Sequence, residues 1–172
     1  EEKLRGKVEF RDVSFAYPNG KPVLRHVSFV VQPGEVVALV GETGAGKTTI
    51  VNLLTRFYEL SEGEILIDDV NITRIRRDSL RNFFSIVLQD TCLFTGTIAD
   101  NIRYSSPSAS DGEVVAAAKL ARAHPFISRL PRKYGTPVSG STDNLSQGQR
   151  QLLAIARAVL CDAPILILDE AT

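Results

Sequence analysis

The stretch EVVALVGETGAGKTTI, residues 35–50, decides the fold. Residues 36–40 are a continuous apolar run, which predicts a buried strand. The glycines that follow predict a tight loop, because glycine adopts backbone angles that other residues avoid. Apolar residues then recur at helical spacing, at Ile50, Leu53, Leu54 and Phe57. The stretch therefore predicts a strand, a glycine-rich loop and a helix beginning near Lys47, in that order.

The spacing of residues 41–48, GETGAGKT, is typical of a phosphate-binding loop. In such a loop, successive backbone N–H groups face one anion, and the helix adds the positive end of its dipole. Lys47 would reach the β and γ phosphates, and the Thr48 hydroxyl would hold Mg²⁺. A glycine-rich turn can also be purely structural, but the full spacing with Lys-Thr favours a nucleoside triphosphate site.

A second apolar strand, Ile165–Leu168, ends on two carboxylates. In phosphate-loop enzymes an Asp at this place holds magnesium, which is the role predicted for Asp169. Glu170 points the other way along the strand, where it can act as general base on an attacking water. The alternative is a strand end with two solvated acids. The phosphate loop in the same chain favours the catalytic interpretation.

The remaining residues divide into three regions. Residues 8–88 alternate short β-rich runs with turns and contain one helix, whereas residues 93–144 are mainly helical, with Ser110 and Glu113 spaced as a capping box. A long helix, Gln147–Cys161, precedes the terminal strand. Ser146 and Gln149 form a capping box at its start, which predicts a second anion site.

Composition excludes several classes of protein. The 172 residues are 44% hydrophobic, which suits one domain, and 20 basic residues balance 20 acidic ones, so charge gives no reason to expect nucleic acid as a partner. No apolar run approaches the ~20 residues of a membrane span. Cys92 and Cys161 are expected to be reduced, buried thiols. His26 and His124 are expected to be structural or solvated.

The order of these motifs resembles the nucleotide-binding domain of ATP-binding cassette (ABC) transporters. The motifs are residues 41–48, Gln89, residues 145–149 and residues 165–170. GTIADNIRY, residues 96–104, and LSQGQRQLLAIARA, residues 145–158, resemble the exporter branch. The resemblance implies an α/β P-loop NTPase core sheet with an N-terminal antiparallel β subdomain and an inserted α-helical subdomain. Its expected parts are an ATP-binding core with β subdomain at 1–92, a helical subdomain at 93–146, and the signature helix with the terminal strand at 147–172.

The resemblance also implies residue roles. Tyr17 would stack on adenine, although a Tyr at a hairpin bend is the alternative. Gln89 would contact magnesium and the attacking water. The nucleotide-binding residues implied are Tyr17, Gly41, Glu42, Thr43, Gly44, Ala45, Gly46, Lys47, Thr48, Thr49, Ser146, Gln147, Gly148 and Gln149. The last four would contact the γ phosphate of the ATP that is bound to the opposite subunit. The catalytic residues implied are Glu170, Lys47 and Gln89, and the metal ligands are Thr48, Gln89 and Asp169. Gln147 stands where many members have glycine, and mild effects are expected unless that backbone needs a positive φ.

The function implied is binding and hydrolysis of ATP, with Mg²⁺, to power export across a membrane. The implied partners are the transmembrane domains of the same transporter and a second nucleotide-binding domain in a head-to-tail dimer. The implied location is the cytoplasmic face of the cell membrane. Because the family pattern continues past the terminal carboxylates, we expect the chain to be truncated, with C-terminal strands missing and an unpaired apolar edge on Ile165–Leu168. An ABC-type ATPase without a transport function and a binding-only regulatory fragment are the alternatives. The cargo is not indicated.

One basic stretch has two interpretations. The arginines of RIRRDSLR, residues 74–81, could face a helix of the membrane domains or form a solvated helical face. These arginines are Arg74, Arg76, Arg77 and Arg81.

Overall fold

The computed structural model describes residues 5–18, 20–87, 92–139 and 145–169. The chain divides into two compact units, Glu1–Phe84 and Ser85–Thr172. Each unit is described separately.

An antiparallel sheet dominates the first unit. Strand β1 (Val8–Ala16) pairs with β2 (Pro22–Val31) on one side and with β3 (Glu62–Ile67) on the other. The short strand β4 (Val70–Asn71) pairs antiparallel with β3. Alternate side chains of β1 are buried, as expected for a sheet with one covered face. These strands agree with the short β-rich runs and turns predicted for this region, and a turn at residues 68–69 separates β3 from β4.

Helix α1 (Lys47–Leu54) begins where the sequence predicts it. Leu53 and Leu54 are buried, but the prediction that Phe57 continues the apolar stripe is wrong, since its side chain is 60% exposed. The helix has ended by then, and Arg56 turns the chain with a φ of 53°. The Phe57 ring instead lies 4.9 Å from the Arg81 guanidinium.

The basic stretch contains a second, short helix that the sequence analysis did not predict, α2 (Arg77–Arg81). Arg77 forms an ion pair with Glu59 at 2.7 Å. Arg74 and Arg76 are exposed. The positions of these arginines agree with a solvated face, and a contact with the membrane domains stays a prediction.

The strand predicted at residues 35–40 is wrong for this structure. The segment has no regular secondary structure, with Val36 fully exposed and Val40 93% exposed. A buried strand of this kind is held by hydrogen bonds to neighbouring strands. Within the described part of the chain, no strand pairs with residues 35–40.

The second unit is mainly helical, as predicted. Its helices are α3 (Ile98–Arg103), α4 (Asp111–Leu120), α5 (His124–Ile127) and α6 (Gln147–Cys161). Two short strand pairs accompany them: β5 (Phe84–Val87) with β8 (Ile165–Leu168), and β6 (Gly96–Thr97) with β7 (Pro137–Val138). A core of buried apolar side chains joins α3, α4, α5 and α6.

Three details of the second unit bear on the sequence predictions. The capping boxes predicted at Ser110 and Ser146 are both present. Strand β8 pairs with β5 alone among the described strands, and Leu166 and Leu168 are each about half exposed. No described helix is long and apolar enough to cross a membrane.

Both cysteines are free, but the prediction that they are buried is wrong. Cys92 is exposed and Cys161 is half-buried. Cys161 is the last residue of α6, and Cys92 lies in an irregular segment before α3, so neither position is inside a packed element.

Candidate functional site

The phosphate-type loop is held against the sheet of the first unit by its last glycine. Gly46 is buried with a φ of 90°, and a Cβ atom there would lie 2.8 Å from Leu24 Cδ2 and 3.2 Å from Val23 Cγ1. The backbone angle therefore favours glycine, and a side chain here would also have to displace the end of Leu24. Gly44 also has a positive φ, 87°, but a Cβ atom there would meet nothing within 4 Å.

Lys47 folds back over this loop. Its Nζ donates hydrogen bonds to the carbonyl oxygens of Gly41, at 2.7 Å, and Glu42, at 3.0 Å. The loop is closed by a turn in which the Ala45 N–H donates to the Glu42 carbonyl at 3.1 Å. A positive charge is thus held beside the loop.

The start of α1 is open to an anion. Gly46 is its N-cap, no side chain caps its N–H groups, and its first turn carries no acidic residue. The N–H groups at a helix start have no partners within the helix, and the dipole adds positive potential there. With the Lys47 ammonium beside them, these groups fit a polyphosphate. Thr48, at the second helical position, is exposed.

Tyr17 lies close to the same helix. Its hydroxyl is 3.0 Å from Oγ1 of the buried Thr49, and its ring makes edge-type contacts with Phe15 and Tyr58, each at 5.0 Å between centroids. The Gly20 N–H donates to the Tyr17 carbonyl at 2.9 Å, which places Tyr17 at the hairpin bend. The structure therefore brings Tyr17 and the phosphate-type loop together in one unit. Sequence analysis missed Tyr58, whose spacing from Tyr17 follows no period.

In the second unit, the start of α6 is closed by its own side chains. Oγ of Ser146 accepts from the Gln149 N–H at 3.2 Å, and the Ser146 N–H donates to Gln149 Oε1 at 2.9 Å. Gln147 is the first helical residue, and its φ is not positive, so a side chain causes no backbone strain there. A Cβ atom at Gly148 would meet nothing within 4 Å. This side of the helix start is open to approach from outside.

The remaining predicted residues are only partly described. Asp169 directly follows β8, is half-buried, and donates its N–H to the Val87 carbonyl at 2.9 Å. Gln89 and Glu170 lie outside the described residues. In the described ranges, no three acidic, His or Cys side chains are grouped so that they could hold a metal ion.

The histidines have the structural and solvated positions predicted for them. His124 Nδ1 lies 2.8 Å from the Tyr134 hydroxyl. Burial raises the pKa of Tyr134 above its ordinary value. His26 is exposed beside Asp12, at 2.9 Å.

A half-buried arginine of α6, Arg157, contacts α3 and the aromatic residues on either side of it. Nε of Arg157 donates to the Asn101 carbonyl at 2.9 Å, and its guanidinium lies 5.1 Å from the Phe94 ring and 5.6 Å from the Tyr104 ring. Burial lowers the pKa of Arg157. Sequence analysis missed this arrangement, because nothing local connects residue 157 with residues 94–104.

Comparisons with known proteins identify one family. The family model described as "ABC transporter" matches residues 24–172. An uncharacterized ABC transporter ATP-binding protein of Bacillus subtilis, YfiC, is 56% identical over 167 residues, which are 97% of this chain and 28% of that protein. A fatty acid ABC transporter ATP-binding/permease protein of Mycobacterium bovis is 54% identical over 169 residues, 98% of this chain and 27% of that protein. The chain thus spans a little over a quarter of the length of these relatives.

A solved structure gives the same result for the fold. A bacterial Atm1-family ABC exporter with ATP bound matches with a TM-score of 0.91 and 47% identity, over 98% of this chain and 29% of that chain. This match confirms the predicted α/β fold class.

Proposed function

The chain belongs to the ABC transporter family, and from this membership we propose that it binds and hydrolyses ATP to power export across a membrane. One observation carries the proposal. In the first unit, Lys47 lies over a glycine loop, the start of α1 is left without a side-chain cap, and Tyr17 is hydrogen-bonded to the same helix. A phosphate subsite and an aromatic ring for a base therefore both contact helix α1.

The proposed roles follow from charge and chemistry. Lys47 and the first N–H groups of α1 bind the β and γ phosphates, and Tyr17 stacks on adenine. Thr48, Gln89 and Asp169 are the proposed ligands of Mg²⁺, which when bound neutralises charge on the phosphates. Glu170 takes a proton from the attacking water.

The proposed assembly is a head-to-tail pair of nucleotide-binding domains joined to transmembrane domains, at the cytoplasmic face of the cell membrane. The open side of Gly148 supports this proposal, because it leaves the backbone at the start of α6 free for a phosphate bound to the opposite subunit. The proposed parts are the ATP-binding core with β subdomain at 1–92, the helical subdomain at 93–146, and the signature helix with the terminal strand at 147–172.

The test is ATP turnover by the complete transporter that carries this chain. In the Glu170→Gln variant we expect turnover to fall ~100-fold or more with ATP binding retained, the scale of a lost general base. Glu62→Gln, which removes an exposed carboxylate of β3, is the matched control and should leave turnover unchanged.

Three other results would change the proposal. Unchanged turnover in Glu170→Gln would remove that residue from its role. Binding of ATP without turnover in the unmodified transporter would favour the binding-only alternative. Absence of ATP binding would overturn the proposed function.

A further inference from the structure

We propose that Tyr58 is a positioning residue that fixes the ring of Tyr17 and so determines how strongly the site binds the base of a nucleotide. The two tyrosines and Phe15 form what we call the aromatic cluster. The proposal rests on the proposed function, since the Tyr17 ring has a base to bind only if the chain binds ATP.

The rings of the aromatic cluster meet at favourable angles. The Tyr58 ring is 5.0 Å from the Tyr17 ring at an interplanar angle of 89°, and the Phe15 ring is 5.0 Å from it at 83°. Edge-to-face arrangements at this distance are the preferred geometry of aromatic pairs. The Tyr17 ring therefore has a defined neighbour in both Phe15 and Tyr58.

A hydrogen bond adds a third restraint. The Tyr17 hydroxyl lies 3.0 Å from Oγ1 of Thr49, a side chain that is only 5% exposed and so has little freedom to move. A tyrosine ring is placed by two side-chain torsions. With its hydroxyl tied and two rings against it, the Tyr17 ring is oriented before any ligand arrives, which reduces the entropy lost on binding.

Core packing explains Phe15 but not Tyr58. Phe15 is 4% exposed and belongs to the buried face of β1, whereas Tyr58 is 41% exposed. Tyr58 therefore gains less from burial than Phe15 does. Its contacts with Phe15 and Tyr17 are the interactions that account for its position.

Tyr58 is also linked to the phosphate-type loop through α1. This helix has eight residues and is about 12 Å long, with Lys47 at its start, and Tyr58 follows its last residue by four positions. Between the helix and Tyr58, the Arg56 guanidinium donates to the carbonyls of Ile72 and Ile75, each at 3.0 Å. The segment that carries Tyr58 is therefore anchored beside the helix that carries Lys47 and Thr49.

The experiment compares the affinity for ATP with that for inorganic tripolyphosphate, which has no base, in the complete transporter. We expect Tyr58→Leu to weaken ATP binding by about 2- to 10-fold, the scale of one aromatic pair. Tripolyphosphate binding should not change. Tyr58→Phe keeps the ring and should bind ATP like the unmodified protein. Phe57→Leu alters the adjacent exposed aromatic residue, which lies under Arg81, and is the matched control.

The outcomes separate this inference from the function on which it rests. If Tyr17→Leu weakens ATP binding but Tyr58→Leu does not, the positioning role is overturned and the base role of Tyr17 stands. If Tyr17→Leu leaves ATP binding unchanged, the base role itself fails. Equal losses for ATP and tripolyphosphate in Tyr58→Leu would show general damage and overturn the inference. Should Tyr58→Leu not fold, Tyr58→Gln, which suits an exposed site, is expected to give the same selective loss.

Discussion

The helices that follow the two predicted anion motifs begin in opposite ways. At α1 the N-cap is Gly46 in a left-handed conformation, with no side-chain hydrogen bond to the N–H groups of the first turn. At α6 the N-cap is Ser146, whose side chain and backbone N–H are both engaged by Gln149. Side chains of α6 therefore supply hydrogen-bond partners at its start, whereas no side chain does so at the start of α1.

This difference indicates where each motif gains its stability. The N–H groups at the start of α1 need an external acceptor, and a bound polyphosphate provides one. The start of α6 is a stable helix start without any ligand, because its capping box already satisfies two N–H groups. We therefore expect substitutions at α1 to act on the loop and its ligand, and substitutions at α6 to act first on stability.

A large effect on stability is expected at Gly46. Gly46→Ala combines a left-handed residue with a Cβ atom 2.8 Å from Leu24 Cδ2, and should lower the free energy of unfolding by about 3 kcal/mol. Gly44→Ala is the matched control. Its φ is similar but its Cβ meets nothing within 4 Å, so the loss should be about 1–2 kcal/mol. Denaturant unfolding measures both, and equal losses would show that packing against β2 does not anchor the loop.

Lys47→Ala should weaken ATP binding by about 100-fold, because the charged hydrogen bonds to phosphate are lost. Lys119→Ala removes an equal charge from the exposed face of α4 and should leave the affinity unchanged. Titration with a fluorescent ATP analogue measures both. A loss below about three-fold in Lys47→Ala would mean that the N–H groups of α1 alone hold the phosphates.

Local signals in the sequence predicted the starts of α1, α4 and α6 correctly. A capping box is formed by residues three apart, so Ser110 with Glu113 and Ser146 with Gln149 could be read directly. The helix after the glycine loop was also predicted correctly, but the prediction extended its buried apolar face too far, to Phe57. The spacing of apolar residues cannot show that Arg56 turns the chain before Phe57.

Features that depend on distant residues could not be predicted in this way. A strand at residues 35–40 requires neighbouring strands, and the apolar run does not say whether they pair with it. The contacts of Tyr58 with Tyr17 and of Arg157 with Asn101 join residues about 40 and 56 positions apart, with no periodic pattern between them. The residues of the phosphate-type loop could be named from the sequence, but not those that orient Tyr17.

Ser146→Ala should lower the free energy of unfolding of the protein by about 1 kcal/mol, the usual cost of a lost N-cap. Ser110→Ala removes the same type of capping box from α4 and should cost a similar amount. If Ser146 also serves a phosphate on the opposite subunit, only Ser146→Ala should reduce ATP turnover at a temperature where both variants stay folded. Equal turnover in the two variants would restrict Ser146 to its structural role.

The smallest effect expected is on the pH dependence of stability, which should differ between the capping boxes of α4 and α6. Hydrogen bonds from the Ser110 hydroxyl and backbone N–H lower the pKa of Glu113 below its ordinary value. Its contribution to stability is therefore present above the pKa of the unfolded chain and is lost as the pH falls through the lower pKa of the folded state. Gln149 does not titrate, so the box of α6 should be unaffected.

The matched variant is Glu113→Gln, which gives α4 the same type of box as α6. Between pH 6 and about pH 4, it should lose less stability than the unmodified protein, because one linked proton is removed. Denaturant unfolding at each pH measures the difference. Identical pH dependence in the two proteins would mean that the exposed Glu113 carboxylate does not stabilise the start of α4. The capping boxes of α4 and α6 would then respond alike to acid.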